Sequence, residues 1–97
     1  MHPREAEGFE WDEEENEAEP WAHSIRSWEV EQVHRNKPVW VRNKAEGSGD
    51  YKMVGKTTGG RRLTIVVEVK AAKRLLRPIT GWESTKGELS RYGRGRR

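Results

Sequence analysis

The chain contains no cysteine, so neither disulfides nor thiolate metal sites are available to it. No run of apolar residues approaches the roughly 18 needed to cross a bilayer, and the N-terminus lacks the basic-then-apolar order of a secretory signal. His2, His23 and His34 have no spacing that suggests a metal ligand set. Nucleophile elbows, Walker loops and dinucleotide fingerprints are missing too. Apolar residues are scarce, 32% against 36% charged, which leaves a thin margin for burial in 97 residues. The expectation is one small cytoplasmic domain without membrane span, metal or cofactor.

Charge is abundant and unevenly placed. Residues 1–20 carry one basic and nine acidic side chains, a charge of −8, whereas residues 21–97 carry eighteen basic and seven acidic, +11. An acidic head reads either as a solvated helix and leader or as a counterweight to a polyanion-binding body.

Residues 1–8 show no apolar periodicity and read as a flexible leader. Phe9-Glu10-Trp11 suits a very short edge strand. Asp12 with Glu15 forms a capping-box pattern for a first helix that Pro20 ends. Ser27 is an N-cap candidate for a second helix to Arg35, with Val30 and Val33 on one face. Val39-Trp40-Val41 reads as a strand, 44–50 as a loop, and 51–56 as a strand pairing across Gly59-Gly60 with 61–69. A further strand covers 74–82, and Ser84 caps a last helix from Thr85 to Tyr92. Residues 93–97, Gly-Arg-Gly-Arg-Arg, form a basic tail. The predicted architecture is α+β, two helices packed on a three- to four-stranded antiparallel sheet with a short C-terminal helix.

Alternation places Leu63, Ile65, Val67 and Val69 on one sheet face and Arg62, Thr64, Val66 and Glu68 on the other. Lys52, Lys56, Arg61, Arg62, Arg74 and Arg77 all lie on or beside this sheet. They suit a phosphate backbone, since guanidinium grips phosphate with paired hydrogen bonds. They equally suit protection of sheet edges from aggregation. Trp11, Trp28 and Trp40 read as packing residues. Trp82, beside Gly81 and near Arg77, Glu83 and Tyr92, suits either base stacking or packing at the foot of the last helix. Proton-transfer candidates are Glu83, His23 and the Tyr92 hydroxyl.

The order of these motifs resembles the BrnT-type toxins. Phe9-Glu10-Trp11-Asp12, Asn16 and His23-Ser24-Ile25 are similar to that family's opening. Met53-Val54-Gly55-Lys56-Thr57 with Gly59-Gly60-Arg61 is similar to its hairpin, and 79–85 with Glu88 and Arg91-Tyr92 to its ending. The resemblance spans residues 9–92 and implies a RelE-like fold. It further implies metal-independent endoribonuclease activity that arrests translation, on free RNA or at the ribosome, and a cognate ribbon-helix-helix antitoxin. Carried over by position, Lys56 stands where the hairpin arginine would be and Arg61 matches directly. Two departures are Trp82 in place of the family's strand-end arginine and Ser24 in place of a glycine. The site expected on this basis uses Arg61 and Arg77 on phosphate with Glu83 or His23 as proton acceptor. Lys52, Lys56, Arg62, Arg74, Trp82 and Tyr92 would contact RNA. The competing expectation is a catalytically weak or inactive module of the same fold that binds nucleic acid or an antitoxin.

Overall fold

The computed structural model describes residues 1–11, 25–43 and 50–95. The first predicted helix, Ser24, His23 and most of the 44–50 loop lie outside them. Elements run in the order β1 (Gly8–Phe9), α1 (Ser27–Arg35), β2 (Val39–Arg42), β3 (Tyr51–Lys56), β4 (Arg62–Lys70), β5 (Leu75–Glu83) and α2 (Lys86–Gly95). The fold is α+β, as the patterning predicts. The sheet, however, has five strands in the order β1-β5-β4-β3-β2 and is mixed. β1 pairs parallel with β5 through Gly8 and Phe9, while the other pairs are antiparallel.

Register sorts the side chains into two faces. One carries Trp40, Tyr51, Met53, Leu63, Ile65, Val67 and Leu76; the other carries Lys52, Val54, Lys56, Arg62, Thr64, Val66, Glu68, Arg77 and Trp82. α1 covers the first face, where Ile25, Val30 and Val33 join Met53, Leu63, Ile65, Val67 and Leu76 in the fully buried core. Each such side chain contributes about 1.5–3 kcal/mol. A glycine at 55 lets α1 and the start of β2 come close, since a Cβ there would lie 3.1 Å from both Val33 Cγ1 and Pro38 Cβ.

Trp28 does not join the core but is 57% exposed. At 100° per residue it sits about 200° around the helix from Val30, on the solvent side. α1 begins at Ser27 rather than after it. Its first turn is closed by Glu29, whose carboxylate accepts the Arg26 N–H at 3.0 Å.

The β3–β4 hairpin turns through Thr57-Thr58-Gly59-Gly60. Gly60 has φ +92°, a conformation that glycine adopts without strain, and its N–H donates to the Thr57 carbonyl at 2.9 Å.

Two terminal segments depart from expectation. The first eight residues are not a free leader. Pro3–Glu5 form a 3-10 turn, Pro3 is fully buried, and Ala6 and Phe9 pack against the core. The strap spans the open end of the α1 face, with the His2 ring against Trp40 and Tyr51 at centroid distances of 6.1 and 5.7 Å. Aperiodic spacing hid this, because packing by Pro3, Ala6 and Phe9 follows an irregular backbone rather than a helix or strand period.

The last helix starts at Lys86 with Thr85 as its cap, and it runs through Gly95, so the predicted tail is helical over residues 93–95. Thr85 and Glu88 exchange hydrogen bonds, Thr85 N–H to Glu88 Oε1 at 2.8 Å and Glu88 N–H to Thr85 Oγ1 at 3.3 Å, forming a capping box. α2 packs across β3 and β2 on the second face, where Val54, Thr64 and Val66 are buried. The basic face is therefore partly roofed rather than wholly free. Among the described residues no helix is long and apolar enough to cross a membrane.

Candidate nucleic-acid interface

Strand pairing in the β3–β4 hairpin sets Lys56 directly opposite Arg62 on the second face. Like charges so placed repel. Both are exposed, and among the described residues neither has an ion-pair partner. Lys52 lies two repeats of the pleat further along the same face, beyond Val54 and about 13 Å from Lys56 at the usual strand rise. Its ammonium stands 5.9 Å from the centre of the Trp82 ring.

Trp82 is held rather than free to rotate. Its indole N–H donates to Glu88 Oε1 at 3.0 Å and lies 3.2 Å from Oε2. Burial pushes the Glu88 carboxyl up. Hydrogen bonds from the Thr85 N–H, the Trp82 indole and the Thr64 and Thr85 hydroxyls outweigh that and hold it below its ordinary value. The Thr64 hydroxyl also lies 2.9 Å from that of Ser84. This polar set, built on the buried Thr64, ties α2 to β4 and β5 and fixes the indole plane beside Lys52.

Arg61 emerges at the same end of the sheet but on the α1 side. Its Nη1 donates to both Glu29 oxygens, at 3.0 and 3.1 Å, and its Nη2 lies 3.3 Å from Glu83 Oε1. The Glu29 side chain is 10% exposed, that of Glu83 71%. The arginine expected to grip phosphate is thus already engaged by two carboxylates. The same contact places a guanidinium beside an exposed carboxylate next to Trp82.

Arg77 does not reach this cluster. It sits opposite Glu68 near the start of β5, whereas Glu83 sits opposite Leu63, five residues and about 17 Å away along β4. There Arg77 Nη1 bonds Glu10 Oε1 at 3.1 Å, Lys73 Nζ bonds Glu10 Oε2 at 2.9 Å, and Arg74 Nε bonds Glu7 Oε2 at 3.1 Å. The six predicted cations therefore separate into a hairpin group, Lys52, Lys56 and Arg62 with Arg61 nearby, and a distal group of Arg74 and Arg77 joined by Lys73. Tyr92 lies in α2, and His23 falls outside the described residues. Among the described residues no three acidic or histidine side chains gather where they could hold a metal ion.

Glu29 and Glu10 organise the basic residues and Glu88 holds Trp82, and sequence reasoning gave none of them a role in the site. For Glu88 a signal exists, the Thr85-x-x-Glu88 capping pattern. For Glu29 and Glu10 none does, because their partners are 32 and 67 residues away.

No protein-family model, curated protein or solved structure matches this chain.

Proposed function

We propose that this protein binds single-stranded RNA on the hairpin end of its second sheet face. Lys52, Lys56 and Arg62 take the phosphates, and Trp82 stacks an unpaired base. The opposition of Lys56 and Arg62 carries the reading, since two adjacent cations repel unless an anion lies between them. The indole held by Glu88 adds a flat apolar surface at the edge of that charge, and stacking a base on it is worth about 1–3 kcal/mol.

A second reading, cleavage, is favoured by the 3.3 Å contact between Arg61 and Glu83. In that reading Glu83 accepts the 2′-hydroxyl proton as the 2′-oxygen attacks phosphorus, and Arg61 neutralises the crowded phosphate. With Glu83 as the proton acceptor, the leaving 5′-oxygen would take its proton from His23 or from the Tyr92 hydroxyl. With the resemblance to BrnT-type toxins, this makes the protein an endoribonuclease toxin that arrests translation, neutralised by a ribbon-helix-helix antitoxin.

One experiment separates the readings. Purified protein is incubated with RNA in EDTA, and both binding and product lengths are followed for wild type, K56A/R62A and E83Q. Loss of binding in folded K56A/R62A supports the interface, and unchanged binding removes it. Cleavage lost in E83Q with binding retained supports the toxin reading, whereas intact RNA bound by wild type, on free RNA and on ribosomes alike, leaves a binding module.

A further inference from the structure

The N-terminal strap is joined to the start of β5 by more than strand pairing. Glu10 presents its two carboxylate oxygens to two different cations, Oε1 to Arg77 at 3.1 Å and Oε2 to Lys73 at 2.9 Å. Beside it, Glu7 accepts from Arg74 Nε at 3.1 Å. A carboxylate bridging two cations through separate oxygens occupies the geometry that two non-bridging oxygens of a phosphodiester would take.

The turn carrying these cations is itself unusual. Arg74 has φ 56° and ψ 41°, a left-handed conformation that costs a side-chain-bearing residue about 1–2 kcal/mol and that glycine or asparagine would relieve. With Arg74 in this conformation, its carbonyl accepts the Glu7 N–H at 2.8 Å and its guanidinium reaches Glu7.

Position completes the picture. Arg77 and Trp82 lie on the same sheet face because the bulge in β5 takes up one residue between them; they oppose Glu68 and Thr64, four residues apart on β4, about 13 Å at the usual rise. A strand of RNA stacked on Trp82 and continuing along β5 therefore arrives at Lys73 and Arg77. α2 packs over β3 and β2 and meets β5 at Trp82 through Glu88, near the opposite end of that strand from Arg77.

We infer that Lys73, Arg74 and Arg77 form a second phosphate-binding site for single-stranded RNA, continuous with the Trp82 surface and occupied in cis by Glu7 and Glu10. RNA reaches this site by displacing the two carboxylates. The strap stays in place through Pro3, Ala6 and Phe9, so only side chains must move. The inference rests on the RNA-binding reading of the hairpin face for its ligand, though the cation site stands or falls separately.

The test is fluorescence anisotropy of a labelled oligouridylate over a salt series. Wild type is compared with E7Q/E10Q, with E7Q/E10Q/K73A/R77A, and with a charge-matched control, E5Q/E31Q. The expected result is tighter binding by E7Q/E10Q and a steeper dependence of log K on log salt, by roughly 0.7 for each cation released to a phosphate. That gain should vanish in the quadruple variant and be absent from the control. Equal tightening in the control would reduce the effect to net charge and overturn the site, as would unchanged affinity and slope in E7Q/E10Q. The single variant E10Q, which leaves the Glu7–Arg74 contact intact, serves if the double variant unfolds, with the same outcomes. Adding K52A/K56A/R62A to E7Q/E10Q distinguishes failures. A gain that survives these changes keeps the second site and removes the hairpin interface, whereas loss of all binding only when they are added supports one continuous track.

Discussion

Arg61 Nη1 lies 3.0 and 3.1 Å from the two oxygens of Glu29, joining the end of the β3–β4 turn to the first turn of α1. With the Glu29 side chain only 10% exposed, this pair has a structural duty as well as any chemical one. Removing Arg61 leaves a nearly buried carboxylate without its partner. R61A should therefore lose about 1–3 kcal/mol in urea unfolding, in addition to any effect on RNA. An unchanged midpoint would show that the pair contributes nothing. Activity lost in R61A is interpretable only with that stability measured.

Gly55 lies beneath α1 and the start of β2. G55A should cost about 1–3 kcal/mol by overpacking, because a Cβ there meets Val33 Cγ1 and the Pro38 ring at 3.1 Å, and Pro38 Cα at 3.3 Å. The check is the denaturation midpoint. A variant as stable as wild type would mean that helix and strand move apart without cost.

Glu88 holds the Trp82 indole and caps α2. E88A should lower stability by about 0.5–2 kcal/mol through the lost cap. It should also free the indole, seen as increased quenching of Trp82 emission against a W82F background. The folded state holds the Glu88 carboxyl below its ordinary 4.5. Its contribution is therefore complete above that value and is lost as pH falls through the lower, folded value. Stability that does not weaken on acidification in this range relative to E88A would contradict the assigned hydrogen bonds.

The strap should also respond to acid, in two stages. Burial, and then the Arg4 charge, push His2 below its ordinary 6.5, so its neutral form is favoured in the folded state. Its contribution is present above 6.5 and is lost as pH falls through the folded value. Hydrogen bonds from Lys73 and then Arg77 hold Glu10 below 4.5, so its contribution is lost at still lower pH. Near-ultraviolet circular dichroism of the His2–Trp40–Tyr51 cluster follows the first stage. H2F should flatten it, and an identical profile in H2F would assign the change to another group.

The sequence by itself determined the elements and their local chemistry. Alternation over 51–56 and 61–69 marks two strands, Gly59-Gly60 their turn, and Val30 with Val33 the buried face of α1, because periodicity and turn geometry act between near neighbours. Lys52 and Lys56 were legible as one face of their strand for the same reason, whereas the register that sets Arg62 on that face came from the tertiary structure. Tertiary structure decided which of the predicted cations remain available. Arg61 reaches across 32 residues to Glu29 and Arg77 across 67 to Glu10, and no local pattern encodes such pairings. It also set the parallel strand that Gly8 and Phe9 add at the sheet edge and the roof that α2 places over the basic face. Trp28 shows the limit most plainly. Composition favours burying an indole, but a helix buries only the arc its neighbours cover, and Val30 and Val33 already fill it.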